Sequence, residues 1–136
     1  MSRNYLKGAA SGLIAAAKPA PDECYVRKEM ERQMTITVFI EYRLDPFKRD
    51  RFEEYAKRWL EIIPRCGADL VGYWIPHEGT NDVGYALISC DSLASYEAYR
   101  QRLREDGAGM ANLRFAQEER FIASERRTFL RPVEAD

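Results

Sequence analysis

The chain has 136 residues, 46% hydrophobic and 32% charged, which is typical of a soluble globular protein and allows one domain with its own core. Its 21 basic and 22 acidic residues are interleaved and leave a formal net charge of −1, so the charge pattern disfavours binding to a nucleic-acid backbone. No apolar run approaches the length that spans a bilayer, so no membrane partner is predicted.

Residues 1–33 differ in composition from the rest of the chain. They are first rich in alanine, proline and glycine, then highly charged, and they lack the alternation of a strand. Three interpretations are open: a disordered or loosely attached arm, sequence upstream of a natural start at Met34, or a secretory signal built on the apolar run 8–17. The third is the weakest, because alanine dominates that run and leucine is scarce. We expect a non-core extension over 1–33, dispensable for stability, and a folded domain over 34–136.

The folded part opens with a strand and a helix. Residues 35–44, TITVFIEYRL, alternate with period two: Ile36, Val38, Ile40, Tyr42 and Leu44 lie on one face, and Thr37, Phe39, Glu41 and Arg43 on the other. Asp45 is suited to cap a helix that has Pro46 at its first position. Apolar residues then recur at helical spacing until Pro64 and Gly67 end the helix.

Two strands, two helices and a last strand follow. Residues 69–77 and 83–90 read as strands joined by the turn 78–82. Ser92 is suited to cap the next helix, a glycine-containing break precedes a further helix over 111–124, and 126–132 form a closing strand. The order βαββα(α)β predicts an α+β ferredoxin-like fold, with one antiparallel sheet and the main helices on one face.

The other sheet face is expected to be apolar. The small residues Gly72, Gly84 and Ala86 suit the face on which helices press closely. This leaves six residues for the uncovered face: Phe39, Glu41, Arg43, Tyr73, His77 and Tyr85. Such a face is too apolar to remain in water, so a homodimer through it is predicted.

The residues from Met34 to about Pro132 resemble the NIPSNAP family. The pieces that carry the resemblance are LVGYW, the Gly-Thr-Asn of the hairpin, DSLASYEAYR and the closing ERRTFLRP. The resemblance implies a dimeric α+β-barrel in which two ferredoxin-like sheets pack face to face, and it implies no settled activity. Related dimeric barrels include cofactor-free monooxygenases and haem-degrading enzymes. Many family members carry a histidine in the third strand, where this chain reads GYALI with Tyr85 near that position.

His77 is the single histidine and the single candidate for acid–base catalysis near neutral pH. It follows the second strand beside Glu78, and an imidazole there could also ligate haem iron. The simpler interpretation, a histidine that serves the turn or the dimer interface, is favoured because no nucleophile is spaced for it. No cofactor and no metal are predicted, and haem remains the alternative.

A ligand pocket is predicted on the uncovered face, inside the barrel. It would be built from Phe39, Glu41, Arg43, Tyr73 and Tyr85. Such a pocket would bind or convert a small aromatic or quinone-like compound. The alternative from a different class is a non-catalytic dimeric interaction module, in which Glu41 and Arg43 simply pair across the interface.

The three cysteines, Cys24, Cys66 and Cys90, are odd in number and form no CxxC pair. Neither a disulfide framework nor a zinc site is predicted from them. Free thiols of this kind are typical of a reducing compartment, so a cytoplasmic location is expected.

Overall fold

The computed structural model of the chain describes residues 22–23 and 35–135. The predicted domain boundary at Met34 and the rest of the extension 1–33 lie outside the described residues, as does Cys24. The domain contains, in chain order, β1 (Ile36–Leu44), a 3-10 turn (Pro46–Lys48), α1 (Arg49–Arg65), β2 (Asp69–Trp74), β3 (Val83–Cys90), α2 (Leu93–Glu105), α3 (Gly107–Glu119) and β4 (Ile122–Leu130).

The four strands form one sheet in the order β2-β3-β1-β4, and every neighbouring pair is antiparallel. The first strand of the chain therefore lies in the middle of the sheet, and β2 and β4 are its edges. This is the α+β ferredoxin-like arrangement that the order of the elements predicted.

Side-chain caps determine where the helices begin. Ser92 accepts a hydrogen bond from the backbone N–H of Ser95 at 3.1 Å, as predicted for a helix N-cap. Asp45 accepts from the N–H of Phe47 at 3.0 Å, so its cap opens the 3-10 turn and α1 begins only at Arg49.

The predicted boundaries after α2 were wrong by several residues. The helix placed at 111–124 begins at Gly107, because Asp106 caps it by accepting from the N–H of Gly109 at 2.8 Å. It ends at Glu119, where Arg120 adopts the left-handed conformation with φ 55°. β4 consequently starts at Ile122 instead of 126.

The core lies between the helices and one face of the sheet. On β1 the alternation is as predicted, and Val38, Ile40, Tyr42 and Leu44 are each no more than 3% exposed. On β3 the small residues face the helices, also as predicted. Gly84 is required there, because a Cβ atom at this position would lie 2.5 Å from the ring of Phe52.

The face assignment predicted for β2 was wrong. The pairing of β2 with β3 proceeds from Leu70 opposite Ile88 directly to Gly72 opposite Leu87, so Val71 has no partner and forms a β-bulge. An extra residue in a strand moves the side chains of all later strand residues to the opposite face of the sheet. Tyr73 consequently lies opposite Ala86 and faces the helices, whereas Gly72 faces away from them.

Candidate functional site

The sheet face turned away from the helices is called the open face here. The strand register places fifteen residues on it: Thr37, Phe39, Glu41 and Arg43 of β1, Val83, Tyr85, Leu87 and Ser89 of β3, Asp69, Gly72 and Trp74 of β2, and Ser124, Arg126, Thr128 and Leu130 of β4. Rings and aliphatic groups are concentrated around Phe39, Tyr85 and Trp74. Charged side chains are concentrated at the end formed by Glu41, Arg43 and Arg126.

A depression of about 470 Å³ lies at the charged end of the open face. Its lining residues are Glu41, Tyr42, Arg43, Val83, Tyr85, Ser124, Glu125 and Arg126. The volume is within the range of roughly 300–1,000 Å³ that is usual for small-molecule sites. Three of the predicted pocket residues, Glu41, Arg43 and Tyr85, are therefore brought together here.

Stacked rings form the wall beside this depression. The rings of Phe39 and Tyr85 are 5.8 Å apart between centroids and inclined by only 10°. Trp74 lies opposite Tyr85 on the neighbouring strand, and its indole covers Gly72, since a Cβ atom there would lie 3.1 Å from the ring. The wall thus offers flat apolar surface that is continuous with the depression.

Two arginines stand at the opposite side of the depression. Arg126 donates from Nε to a carboxylate oxygen of Glu41 at 3.2 Å, and its side chain is 77% exposed. Arg43 donates from a terminal nitrogen to a carboxylate oxygen of Asp82 at 3.5 Å, and its side chain is 63% exposed. Both arginine side chains are largely exposed and their carboxylate partners are about one-third exposed, so these ion pairs contribute little to stability.

Glu125 lines the depression but its carboxylate is engaged elsewhere. It lies on β4 opposite Tyr42, on the side of the helices, and it accepts from Nε of Arg127 at 2.9 Å. Arg127 also donates to the hydroxyl of Tyr96 at 3.1 Å. Burial lowers the pKa of Arg127, but the carboxylate of Glu125 and nearby tyrosines outweigh this effect, and the net shift of the pKa is upward.

Tyr73 is not part of the open face, contrary to the prediction. Its hydroxyl is 3.2 Å from the hydroxyl of Tyr42, and its ring packs against Tyr42 and Phe52. Burial raises the pKa of Tyr73 well above its usual value, and burial likewise raises the pKa of Tyr42. Tyr73 belongs to the core, and its contacts with Tyr42 and Phe52 stabilise the position of the edge strand β2.

His77 lies in the bend after β2, three residues beyond the last strand residue Trp74, and it is exposed. The strand predicted to reach it ends early, where the carbonyl of Pro76 accepts from a guanidinium nitrogen of Arg49 at 3.3 Å. His77 is not among the lining residues of the depression. Because His77 does not line the depression, its catalytic role stays a prediction.

Several residues of the site were missed by sequence reasoning. Trp74 was missed because the bulge reversed its face. Ser124 was missed because the closing strand was placed too late, at 126–132. Arg126 lies within that range and was missed because no face was assigned to the closing strand. Residues 122–130 show no clear alternation, because Ile122 and Ala123 are followed by five consecutive polar residues, 124–128, so the earlier start has no local signal.

The remaining titratable and thiol groups add no second centre within residues 22–23 and 35–135. No group of three or more His, Cys, Asp and Glu side chains in this part of the chain could hold a metal ion. Cys66 and Cys90 are buried free thiols, and burial raises the pKa of each. No helix in the described residues is long and apolar enough to cross a membrane.

The fold and the open-face depression define a class of small α+β proteins with a four-stranded antiparallel sheet. A NIPSNAP-like domain protein from Burkholderia xenovorans matches with a TM-score of 0.65 at 17% identity, over 76% of this chain and 90% of that one. A NIPSNAP family protein of unknown function from Agrobacterium tumefaciens matches with a TM-score of 0.65 at 18% identity, over 76% and 93%. At such identities the similarity establishes the fold.

A structure with a lower TM-score has the same type of fold. It is a protein from Chloroflexus aurantiacus that carries the provisional name of an antibiotic biosynthesis monooxygenase, with a TM-score of 0.53 and 15% identity over 75% of this chain and 96% of that one. No curated protein matches the chain. The NIPSNAP family model matches residues 37–135, which is most of the chain, and the chain therefore belongs to the NIPSNAP family.

Proposed function

We propose that this protein binds a small aromatic compound in the open-face depression, which a second copy of the chain encloses. The observation that carries the proposal is the depression of about 470 Å³ between the stacked rings of Phe39 and Tyr85 and the side chains of Glu41, Arg43 and Arg126. A flat apolar wall beside a few convergent polar groups is what a small aromatic ligand requires.

Enclosure by a second copy is supported by the apolar character of the open face. Trp74 and Leu130 are 46% and 41% exposed in the single chain, and Phe39, Tyr85 and Leu87 are only partly buried. Contiguous apolar surface of this kind is usually covered in the functional assembly. A homodimer through this face would convert an open depression into a chamber.

Binding, and not conversion, is the activity that the site supports. The depression is lined by arginines, carboxylates, tyrosines, one serine and one valine, and His77 is not on its wall. Removal of His77 is therefore expected to leave ligand binding unchanged. In a His77→Ala variant the dissociation constants of bound aromatic probes should match those of the unaltered protein within about twofold, measured by calorimetric titration. A loss of binding or of a detected turnover in that variant would restore the catalytic interpretation.

The proposal is tested with a panel of aromatic probes. Benzyl alcohol, benzamide, benzoate, a naphthoquinone and haem are added to the full chain, and the unfolding midpoint is measured, since a bound ligand stabilises the native state in proportion to its occupancy. At least one single-ring probe or the naphthoquinone should raise the midpoint. Tyr85→Ala should weaken that binding about tenfold, because it removes the stacking wall.

The matched control is Leu93→Ala. Leu93 is an exposed apolar residue at the start of α2, outside the sheet. This variant should bind the probes as the unaltered protein does. If none of the probes raises the midpoint while the chain still forms a dimer, the protein is instead a dimeric interaction module without a ligand.

A further inference from the structure

We infer that the aromatic compound carries a carboxylate or a comparably compact anionic group, and that Arg43 and Arg126 are the residues that select it. This inference rests on the proposed function, because it concerns the same depression. It assigns a charge to the ligand and a specificity-determining role to two side chains.

The register brings the two arginines to the same patch from different strands. Arg43 of β1 lies opposite Ser124 of β4, and Arg126 lies opposite Glu41 of β1. Arg43 and Arg126 are therefore diagonal neighbours, and such positions lie about 7–8 Å apart, within reach of long side chains. Both guanidinium groups can converge on one anion above Ser124.

Most of the hydrogen-bond donors of these guanidinium groups are not used by the described residues. A guanidinium has five N–H donors, arranged for two-point contact with a carboxylate. Arg126 uses Nε toward Glu41 at 3.2 Å, and Arg43 uses one terminal nitrogen toward Asp82 at 3.5 Å. For comparison, Arg65 makes three hydrogen bonds to Asp106, the shortest of 2.8 Å.

Each arginine of the depression has one carboxylate partner among the described residues, and each contact uses a single nitrogen. Arg126 contacts Glu41 at 3.2 Å and Arg43 contacts Asp82 at 3.5 Å, and both arginine side chains are more than half exposed. Glu125 is committed to Arg127 on the other side of the sheet. An anionic ligand can therefore contact the unused nitrogens of both guanidinium groups, and the attraction would be strongest where a covering copy excludes water.

The rings and the arginines are spaced for a single aromatic acid. Tyr85, Glu41 and Arg126 lie in one cross-strand row on β3, β1 and β4. Adjacent strands are about 4.8 Å apart, so Tyr85 and Arg126 are separated by about 10 Å across the row. One ring lying against Tyr85, with its carboxylate directed toward β4, spans that distance.

The experiment compares three probes on the full chain by calorimetric titration at low salt. Benzoate has the ring and the charge, benzamide has the ring without the charge, and acetate has the charge without the ring. Benzoate should bind about tenfold more tightly than either of the others. Added sodium chloride should weaken the binding of benzoate and leave that of benzamide unchanged, because salt screens the charge.

Variants then assign the effect to the two arginines. Arg43→Met and Arg126→Met should each reduce the affinity for benzoate by a larger factor than the affinity for benzamide, so that the two affinities become similar in each variant. Arg43→Lys should give an intermediate result, since it retains the charge and loses the two-point geometry. Arg114→Met, at an exposed position on α3, is the control and should bind benzoate normally. An unchanged unfolding midpoint verifies that each variant is folded.

The outcomes separate this inference from the proposed function. Equal affinities for benzoate and benzamide would overturn the anionic ligand and leave aromatic binding standing. If the arginine variants lost affinity for benzamide by the same factor as for benzoate, the anionic ligand would also be overturned, because the arginines would then act by packing on the ring. Acetate binding as tightly as benzoate, or no binding of any of the three together with failure of the whole aromatic panel, would overturn the proposed function itself.

Discussion

The hydroxyl pair of Tyr42 and Tyr73 links the central strand β1 to the edge strand β2 within the core. The two oxygens are 3.2 Å apart, and Tyr42 is 3% exposed. A buried hydroxyl that loses its partner has no water to replace it. The pair therefore stabilises the position of β2 and favours the face on which Tyr73 lies.

Tyr73→Phe should lower the free energy of unfolding by about 1–2 kcal/mol, because it leaves the hydroxyl of Tyr42 unpaired. Denaturant titration measures this value. Tyr85→Phe is the control on the open face and should change stability by less than about 0.5 kcal/mol. The double variant Tyr42→Phe/Tyr73→Phe should lower the free energy of unfolding by less than the sum of the losses in the two single variants. Additive losses would contradict a direct hydrogen bond between the two hydroxyls.

Asp106 is a second residue whose role is defined by its contacts. It caps α3 and binds Arg65, and the hydrogen bond from Arg65 holds the pKa of its carboxyl below the usual value. A carboxyl with a lowered pKa stabilises the folded state above its unfolded pKa of about 3.9, and the effect is lost as the pH falls through the folded pKa.

At neutral pH the unfolding midpoint should therefore decrease from the unaltered protein to Asp106→Asn and further to Asp106→Ala. Asparagine retains the cap and loses the ion pair, whereas alanine loses both. The difference between the unaltered protein and Asp106→Asn should shrink below about pH 4, as the carboxyl takes up its proton. Thermal unfolding followed by circular dichroism across this pH range measures both effects, and a difference independent of pH would refute the ion-pair contribution.

At the scale of elements, the bulge at Val71 determines what the edge strand β2 presents on each face. The residue has no partner on β3 and is 56% exposed. Without the bulge, simple alternation from Leu70 through Val71 would place Tyr73 on the open face. The structure instead directs Tyr73 into the core and Trp74 outward.

Deletion of Val71 should be tolerated at a cost below about 1 kcal/mol, because regular pairing from Leu70 to Gly72 then leaves Tyr73 on the core face. Deletion of Leu87 is the contrast. β3 contains no bulge, so the loss of one residue there reverses the face of its neighbours and should prevent cooperative folding. Amide spectra and denaturant titration distinguish the two cases. Unfolding of the Val71 deletion variant would show that the bulge itself is needed.

At the scale of the whole molecule, the open face is the feature that the single chain does not explain. Helices cover one side of the sheet, while the other side presents rings beside charged groups. The expected homodimer would cover this apolar surface and enclose the depression at once. The proposed dimer and the proposed ligand site therefore both depend on this one face.

Phe39→Glu should dissociate the dimer, raising its dissociation constant by more than about 100-fold, because it would bury an unpaired carboxylate at the interface. Analytical ultracentrifugation at micromolar concentration measures this. Phe47→Glu is the matched control, since Phe47 is 92% exposed and lies in the turn after β1, outside the sheet. A monomer for the unaltered protein, or a dimer that is insensitive to Phe39→Glu, would place the interface elsewhere.

The sequence by itself determined the order of the elements, and hence the ferredoxin-like fold. Strand alternation on β1 and β3 and the cap at Ser92 are local signals, because they depend on neighbours within a few residues. They also placed Phe39, Glu41, Arg43 and Tyr85 on one face. Family membership followed from the spacing of short matching segments.

Only the tertiary structure decided the composition of the site. The faces of Tyr73 and Trp74 depend on how β2 pairs with β3, and the energy of that pairing lies in contacts between distant segments. Likewise, Arg126 meets Glu41 through pairing of strands that are far apart in the chain. A one-residue slip in such pairing exchanges the two faces, and no local pattern specifies it. That dependence on cross-strand contacts is the reason that the fold was predictable and part of the pocket was not.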